Sequence, residues 1–482
     1  MSALARRNGE VSFWQASLPA NASQRPPLTG DRDADVCIAG AGFTGLWTAY
    51  ELKRARPELE VVVLERERVG FGASGRNGGW LTSTFAAPRE RLGRAHGRDA
   101  VLALERAMQA TVAEVLAVCE REGIDADVAR GGLLRVARTV AQVARLRTHV
   151  EAERAWGIGP DDLVELDASA LGERVRVAGA LGATFSPHGA RVQPAKLARG
   201  LAEAAERLGV TIHERTAVRE LRPGDGSSPA ALTALPRRGA AAAAVTDYGT
   251  VRAPVVLSCL EGFTAGLPGE RRRLLPLTSA MIATEPLPAA TWDEIAWSGA
   301  ELLGDAAHAF VYAQRTADGR IALGGRGTYR YGSRTDRAGR TERRTIASLG
   351  AHLRAFFPPA ADAAIDHAWC GVIGVARDWQ PAVRFDPATG LGSAGGYVGH
   401  GVATANLAGR TLRDLVLGED SELTRLPWVG HDARRWEPEP LRWIGATTIA
   451  ALYRAADRRE AHRGDARTSR LAHAADRIAG RA

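Results

Sequence analysis

Short apolar runs alternate with polar turns at the start of the chain. Val36-Cys37-Ile38-Ala39 is an apolar run of strand length, and residues 46–52 have helical character. A second apolar run, Val61-Val62-Val63-Leu64, follows this segment. The pattern predicts a strand, a turn, a helix and a second strand, as in the first unit of an α/β fold.

The turn between the first strand and the helix reads Gly40-Ala41-Gly42-Phe43-Thr44-Gly45. Gly40 suits a tight turn, Gly42 lets the backbone approach a pyrophosphate, and Gly45 lets the helix pack on the strand. The free N–H groups at the helix start would then face the phosphates. The alternative is a turn with a purely structural role. The dinucleotide contacts predicted here are Gly40, Gly42, Phe43, Thr44 and Gly45.

A carboxylate ends the second predicted strand. Glu65 follows Gly45 by twenty residues, the spacing at which an acidic residue accepts hydrogen bonds from the ribose of adenosine. We expect Glu65 and its neighbour Arg66 to contact the nucleotide. The glycine motif and Glu65 do not distinguish FAD from NAD.

Residues 70–79 carry five glycines in ten positions directly after the second strand. A plain NAD domain would begin another helix at this point. Glycines allow close approach of the backbone, and Ser74 and Asn77 offer hydrogen bonds, so the stretch favours a loop that wraps an extended ligand. The alternative is a surface linker.

On these motifs the chain resembles the glycine and D-amino-acid oxidase family of FAD enzymes, in its gamma-glutamylputrescine oxidoreductase-like branch. The resemblance implies a Rossmann-like FAD-binding domain and a second α+β substrate domain, whose large antiparallel sheet covers the flavin. The matching stretches are residues 36–52, 65–79, 193–197, 200–201, 284–287 and 395–418. The additional cofactor contacts implied are Gly72, Ala73, Ser74, Arg76, Asn77, Gly78, Gly79, Val218, Gly371, Gly399, His400, Gly401 and Val402.

The predicted fold class is α/β, and the resemblance implies that the FAD-binding domain is discontinuous. Apolar patterning predicts a helix over 192–209 and strands over 210–213 and 255–259, and an exposed loop over 223–244. Residues 91–184 are mostly helical in pattern, whereas 266–366 contain β-type runs. The predicted domains are 33–90, 185–265 and 367–420 for FAD, 91–184 and 266–366 for substrate, and 421–482 as a C-terminal helical tail.

A second glycine-rich segment, residues 395–402, leads into an apolar helix. In the family this strand passes along the flavin, and the following helix directs its N-terminus at the pyrimidine edge. The positive end of a helix dipole stabilises the negative charge of a reduced flavin. The alternative is a packing device with no cofactor contact.

Three side chains are the catalytic candidates: His400, Tyr312 and Arg326. His400 either contacts substrate or flavin, or braces its glycine turn by hydrogen bonding. Tyr312, Gln314 and Arg326 are polar residues in strand-like surroundings, and Trp369 and Trp379 are further candidates for the same cavity. Simple packing is the alternative for the aromatic residues.

One segment suggests a different enzyme class. Residues 304–308, Gly-Asp-Ala-Ala-His, match a short sequence with which flavin monooxygenases bind ribityl and phosphate. A strand follows here, where those enzymes have a glycine-rich turn into a helix, so we interpret the match as coincidental. An NADPH-consuming monooxygenase and a catalytically silent FAD-binding protein remain the alternatives to an oxidase.

The predicted reaction transfers a hydride from the carbon of a neutral amine or amino acid to flavin, and water hydrolyses the resulting imine. The predicted FAD is noncovalent. Family members that attach flavin use a cysteine seven residues before an Asp-x-x-Pro pattern, and here Gly371 occupies that position while Cys370 is displaced by one residue. Oxygen or another acceptor takes the electrons. In relatives a lysine beside the flavin promotes oxygen reduction through its positive charge. No lysine follows Lys196 here, so an arginine or His400 would supply that charge.

Composition excludes several classes. The formal charge is +8, but only two of the 63 basic residues are lysines and the arginines are scattered among acids, so no nucleic-acid partner is expected. The four cysteines are far apart, which predicts neither disulfides nor a metal site. Without a signal peptide or an apolar span, the chain is expected to be cytoplasmic, without stable membrane association.

Overall fold

The structure, a computed structural model, describes residues 4–19, 24–225, 242–335 and 337–481. Its helices are α1 (Phe13–Ala16), α2 (Phe43–Ala55), α3 (Arg89–His96), α4 (Arg98–Arg121), α5 (Val140–Ala155), α6 (Ala168–Gly172), α7 (Pro194–Arg207), α8 (Ala289–Ile295), α9 (Arg343–Phe356), α10 (Gly401–Leu417), α11 (Leu441–Arg463) and α12 (Arg470–Ala479).

The strands belong to two large and two small sheets. They are β1 (Arg7–Asn8), β2 (Arg32–Asp33), β3 (Val36–Ala39), β4 (Val61–Leu64), β5 (Trp80–Thr82), β6 (Leu133–Ala137), β7 (Val164–Asp167), β8 (Gly182–Ser186), β9 (Gly189–Arg191), β10 (Thr211–His213), β11 (Val218–Arg222), β12 (Ala242–Thr246), β13 (Gly249–Ala253), β14 (Val255–Ser258), β15 (Leu275–Thr284), β16 (Leu302–Asp305), β17 (Val311–Arg315), β18 (Ile321–Tyr329), β19 (Ile365–Val375), β20 (Ala382–Asp386) and β21 (Leu391–Gly395).

A six-stranded sheet has the order β10-β4-β3-β14-β21-β20. Its first five strands are parallel, and β20 is an antiparallel edge. Strands β3, β4 and β14 are buried along their whole length, which explains their continuous apolar runs. Helix α2 packs on this sheet and against α10, and a Cβ on Gly409 of α10 would lie 2.7 Å from the Trp47 Cβ. The predicted α/β class is confirmed.

The nine-stranded sheet has the order β1-β19-β15-β18-β17-β16-β6-β8-β7 and is mainly antiparallel. Strand β19 pairs with β15 along almost its whole length, from Val375 opposite Leu275 to Ile365 opposite Thr284. The domain boundary predicted at 367 therefore falls inside β19. The boundary predicted at 185 falls inside β8, which pairs with β6 and β7. Because these strands pair continuously, the residues on both sides of each predicted boundary belong to the nine-stranded sheet.

The C-terminal end of the loop predicted over 223–244 is a strand. Strand β12 begins at Ala242, and residues 226–241 lie outside the described residues. Ala242 and Ala244 are buried in a small core with Val251, so these alanines contribute to a strand face. The composition of residues 223–244 suggested a loop because alanine, like glycine and proline, has little preference for strands.

The C-terminal helices dock on the nine-stranded sheet at the segment that resembles a monooxygenase motif. The Asp457 carboxylate accepts the N–H groups of His308 and Ala309, at 2.8 and 2.9 Å. Glu460 contacts the His308 ring at 2.9 Å and Arg145 at 2.5 Å. The turn after β16 thus binds α11 through these hydrogen bonds. Strand β16 itself belongs to the nine-stranded sheet and not to the parallel one.

Candidate functional site

The turn after β3 brings backbone very close to backbone. Gly40 has φ +105°, a conformation that glycine adopts without strain. A Cβ on Gly45 would lie 2.0 Å from the Gly40 carbonyl oxygen and 3.1 Å from the Ile38 side chain. Helix α2 can therefore start directly on the end of β3, with its N-terminal N–H groups at the carboxyl edge of the parallel sheet.

Ser74 connects the glycine-rich loop to the start of α2. Its Oγ accepts the N–H of Phe43 at 2.8 Å. A Cβ on Gly42 would lie 2.9 Å from the same oxygen, so the absence of a side chain at position 42 makes room for the hydroxyl. The loop and the helix start are therefore one structural unit.

Glu65 follows β4 at the same edge. Its carboxylate accepts the N–H groups of Ala41 and Glu67, each at 2.9 Å. Burial raises the pKa of Glu65 to about 7, against the effect of the Ala41 hydrogen bond. Arg66 is exposed, with its Nε 3.8 Å from Glu67. The Glu65 carboxylate thus braces the glycine turn that it adjoins.

Arg76 is 2% exposed and holds three parts of the chain together. Its guanidinium donates to the carbonyl oxygens of Phe71, Cys370 and Arg337, at 2.7, 3.3 and 2.9 Å. The same group lies 4.4 Å from the Phe71 ring centroid. These contacts give Arg76 a bracing role between the loop and β19.

Asn77 shapes the end of the loop. Its amide donates to the carbonyls of Ala73 and Ser74, at 3.2 and 2.8 Å, and its Oδ1 accepts the N–H of Gly79 at 2.7 Å. Gly79 has φ +68° and no room for a side chain, because a Cβ there would lie 2.1 Å from Gln314 Nε2. Asn77 thus uses its side chain within the protein.

The nine-stranded sheet packs one face onto this loop. Gln314 donates to the Gly78 carbonyl at 2.5 Å, and a Cβ on Gly78 would lie 2.8 Å from the Tyr312 ring. Further along the sheet, a Cβ on Gly371 would lie 3.2 Å from the Arg76 Cβ. The Gly72 position faces Phe263, whose ring would lie 3.4 Å from an added Cβ. Loop and sheet are therefore in direct contact.

Tyr312 and Ser279 form a polar pair on this face. Their hydroxyl oxygens are 3.0 Å apart, and burial raises the pKa of Tyr312, so the phenol is neutral. The Tyr312 ring packs edge-on against Trp80, with centroids 5.7 Å apart. Arg326 lies in β18, but its side chain is outside the described residues.

The second glycine-rich segment brings a second helix start to the site. Gly399 has φ +99°, and His400 takes the position before α10 without capping it by its side chain. Val402 is buried in the core, and a Cβ on Gly401 would lie 3.1 Å from the Tyr397 ring. Tyr397 in turn contacts α2, because its hydroxyl lies 3.0 Å from Thr44 Oγ1.

Glu261 joins the strands next to this helix start. Its carboxylate accepts the N–H groups of Gly374, Gly396 and Tyr397, at 3.1, 2.7 and 3.3 Å. Burial raises the pKa of Glu261 to about 7, although the three N–H groups favour the ionised form. No pattern in the sequence singled out Glu261 or Tyr397, because both act through partners more than a hundred positions away.

Two predicted site residues lie at the margin of this assembly. Val218 opens β11, two residues after Thr216, whose N–H donates to the Glu65 carbonyl at 2.8 Å. Trp379 donates to the Ala479 carbonyl at 2.9 Å, so its ring packs against the C-terminal helix. Trp369, by contrast, donates to the Arg76 carbonyl at 2.9 Å and is buried beside the loop.

The assembled residues fit an FAD molecule. Two helix starts, α2 and α10, are joined through Thr44 and Tyr397, and both offer N–H groups that have no partner inside their own helix and suit a phosphate or a negatively charged ring. The absence of side chains at Gly40, Gly42 and Gly45 lets the turn, Ser74 and the start of α2 lie close together, which gathers backbone N–H groups for a pyrophosphate at one edge of the sheet. Within the ranges described above, no helix is both long enough and apolar enough to cross a bilayer.

Comparisons with known proteins agree with this geometry. The chain is 30% identical to the probable oxidoreductase OrdL of Rhizobium meliloti (strain 1021), over 86% of this chain and 90% of that protein. It is 30% identical to gamma-glutamylputrescine oxidoreductase of Escherichia coli (strain K12), over 80% and 84% of the two chains. The fold is similar to that of glycine oxidase from Geobacillus kaustophilus, with TM-score 0.67, 22% identity, and coverage of 83% and 99%.

A family profile described as "FAD dependent oxidoreductase" (DAO) matches residues 35–415, which include the turn after β3, the loop, most of the nine-stranded sheet and the start of α10. The resemblance seen in the glycine motifs is thereby confirmed, as are FAD as the cofactor and an enzyme as the class of protein. The chain belongs to the DAO family of FAD-dependent oxidoreductases.

Proposed function

We propose that the enzyme oxidises the C–N bond of an amine or amino acid, with FAD held between the two helix starts and covered by the nine-stranded sheet. The observation that carries this proposal is the hydrogen bond between Thr44 and Tyr397, which fixes the N-termini of α2 and α10 beside one loop. The six-stranded sheet would hold the nucleotide, and the nine-stranded sheet would supply the substrate face.

Each part of the site has a defined task in this reaction. When bound, FAD accepts the hydride that leaves the carbon carrying the nitrogen. The N-terminus of α10 stabilises negative charge near Gly399 and His400 through its dipole. The sheet excludes water with Tyr312 and Gly371, and the Tyr312–Ser279 pair offers hydroxyl groups to orient a polar substrate. A neutral amine needs no separate base.

The relatives support a nitrogen-containing substrate. One is gamma-glutamylputrescine oxidoreductase and one structural neighbour is glycine oxidase, so the names cover both an amine derivative and an amino acid. Both named substrates contain a carbon–nitrogen bond, and we propose that this enzyme oxidises a bond of that kind. His400 and Arg326 stay candidates for substrate contact, on the helix start and on β18.

The remaining parts of the proposal concern attachment, location and partners. We assign FAD as noncovalent, oxygen or another molecule as the electron acceptor, and the cytoplasm as the location, without stable membrane association. The four cysteines, all within the described residues, form no disulfide, as in proteins of a reducing compartment. We expect no nucleic-acid partner, because arginines such as Arg25 pair with acids instead of forming a basic face.

Anaerobic stopped-flow reduction of the holoenzyme by a panel of amines and amino acids tests the proposal. We expect flavin bleaching by at least one amine and none by NADPH. A Tyr312→Phe variant should be reduced about tenfold more slowly, as expected for one lost hydrogen bond. Tyr331→Phe is the matched control because Tyr331 is 53% exposed. Bleaching by NADPH alone would instead indicate a monooxygenase, and bleaching by no compound would indicate a silent protein.

A further inference from the structure

Residues near the N-terminus form hydrogen bonds to the glycine-rich loop and lie outside the matched family region of 35–415. Ser12 Oγ donates to the Gly75 carbonyl at 2.6 Å, and Trp14 Nε1 donates to the Asn77 carbonyl at 2.8 Å. Gln15 Nε2 donates to the Gly70 carbonyl at 2.8 Å. We call residues 12–15 the N-terminal clamp.

The clamp is packed as part of the core. Ser12 is 3% exposed and Trp14 is 2% exposed. The Trp14 ring packs edge-on against Trp369, with centroids 6.0 Å apart, and the Trp14 carbonyl accepts a hydrogen bond from Gln193 at 2.9 Å. Its position is therefore fixed from both sides, so its hydrogen bonds can impose a geometry on the loop.

The clamp and the nine-stranded sheet together bind four consecutive carbonyl groups of the loop. The carbonyls of residues 75, 76, 77 and 78 accept, in order, from Ser12, Trp369, Trp14 and Gln314. In a planar trans peptide the C=O and the following N–H point in opposite directions. Fixing a carbonyl therefore turns the N–H that follows it away from the side chain that binds the carbonyl. The Gly78 N–H points away from Trp14 of the clamp, and the Asn77 N–H points away from Trp369, against which Trp14 packs.

Two of these N–H groups are available to a ligand. Among the described residues, no atom accepts the N–H of Asn77 or of Gly78. Both lie on the loop beside Ser74, whose Oγ binds the start of α2. Gly78 is buried and Asn77 is half-buried. Backbone N–H groups removed from water seldom go without an acceptor, so these two point to a bound partner at this place.

We propose that the N-terminal clamp is a positioning element of the flavin site, which sets the loop so that the N–H groups of Asn77 and Gly78 donate to bound FAD. This inference rests on the proposed placement of FAD at the loop. Donors fixed toward the flavin favour its reduced, negatively charged form. The clamp therefore influences both the affinity for FAD and its reduction potential, without touching the cofactor.

The test compares holoenzymes that carry Ser12→Ala, Trp14→Phe or both changes. Trp14→Phe removes the N–H donor and keeps an aromatic ring in the core. We expect the double variant to bind FAD about tenfold more weakly, as for two lost hydrogen bonds of ordinary strength. Its midpoint potential should become more negative, measured by equilibration with a reference dye.

Asn8→Ala is the matched control. Asn8 belongs to the same N-terminal stretch, but its side chain pairs with the backbone of Thr341 at 2.9 and 2.8 Å. We expect this variant to unfold at a lower temperature while its FAD affinity and midpoint potential stay at wild-type values. An equal shift in potential for Asn8→Ala and for the clamp variants would overturn the proposal, since the stretch would then act only through stability.

The single variants keep the test decisive if the double variant does not fold. Each should shift the potential in the same direction, and wild-type values in both would overturn the inference. Gly42→Ala separates this outcome from a failure of the proposed placement, because it displaces Ser74 at the helix start. Unchanged FAD affinity in Gly42→Ala would contradict the placement itself. Weakened affinity there, with unchanged clamp variants, would contradict only the clamp.

Discussion

The hydroxyl of Tyr397 lies 3.0 Å from Oγ1 of Thr44, although 353 positions separate the two residues in the sequence. Thr44 stands in the first turn of α2, and Tyr397 stands in the turn that leads to α10. Burial raises the pKa of Tyr397 well above its usual value, so the phenol keeps its proton. One neutral hydrogen bond thus sets the spacing of two helix starts.

Tyr397→Phe should lower the free energy of unfolding by about 1 kcal/mol and weaken FAD binding, because Thr44 loses its buried partner. Urea unfolding and FAD titration of the apoprotein measure the two effects. Thr44→Val should cost a similar amount, and the double variant should cost less than the sum of the two. Strict additivity would show that the two hydroxyls do not interact.

Gly45→Ala should abolish FAD binding or folding. The new Cβ would lie 2.0 Å from the Gly40 carbonyl oxygen, a distance that forces the helix away from the strand. Gly445→Ala is the matched control, since Gly445 lies within α11 and has nothing within 4 Å of an added Cβ. Flavin content after purification gives the result. A yellow, stable Gly45→Ala protein would contradict the packing role.

Acidification should loosen α11. Burial alone would raise the pKa of Glu460, but hydrogen bonds from His308 and Ser469 and the charge of Arg145 outweigh it and lower the pKa to about 2. A carboxylate with a lowered pKa stabilises the fold above its unfolded pKa, and this stability is lost as pH falls toward 2. Wild-type protein should therefore lose thermal stability below about pH 4.5.

Glu460→Gln removes this titration. The variant should be less stable than wild type at pH 7, and the difference between them should shrink as the pH falls from about 4.5 toward 2. Thermal unfolding at several pH values measures it. A difference that is constant over this range would show that the Glu460 carboxylate does not titrate with the fold.

The flavin should be released completely by acid precipitation. Cys370 lies in β19, is 1% exposed and packs in the core, and its thiol donates to the Arg340 carbonyl at 3.3 Å. Gly371 is the residue that faces the loop, next to Arg76. Cys370→Ser should therefore leave the amount of released flavin unchanged. Yellow colour retained in the pellet of the wild-type protein would indicate a covalent bond.

Reoxidation of the reduced enzyme by oxygen should be slow but faster than that of free reduced flavin. Lys53 donates to the carbonyls of Pro57 and Leu59, and Lys196 pairs with Asp127, so neither lysine is available to promote oxygen reduction. An arginine keeps its charge at any working pH and can replace lysine in stabilising a superoxide-like state. A rate equal to that of free flavin would identify a dehydrogenase.

The nucleotide-binding unit was predictable because its interactions are local in sequence. The helix predicted over 192–209 appears as Pro194–Arg207, and the two apolar runs at 36–39 and 61–64 coincide with β3 and β4. Gly40 and Gly45 are five positions apart and meet within one turn. Motifs of this kind carry their own geometry, so residue type and spacing were sufficient.

The long-range contacts were not predictable from residue type. Arg76 stood in a loop expected to wrap a ligand, yet its guanidinium binds the carbonyls of Phe71, Arg337 and Cys370, from three separate segments. The N-terminal clamp carries no motif, because a serine and a tryptophan that donate to carbonyl groups leave no characteristic spacing. The domain boundary expected at 367 fell inside β19 because strand pairing with β15 is visible only in three dimensions.

The six-stranded sheet is assembled from segments that are distant along the chain. Strand β14 pairs on one side with β3, where Val256 lies opposite Cys37, and on the other side with β21, where Val256 lies opposite Leu391. Closing such large loops has an entropic cost that must be met before the pairing contributes stability, and high contact order slows folding. Refolding should therefore pass through a state in which β14 presents an open edge, and dilute protein should recover better than concentrated protein because such edges aggregate.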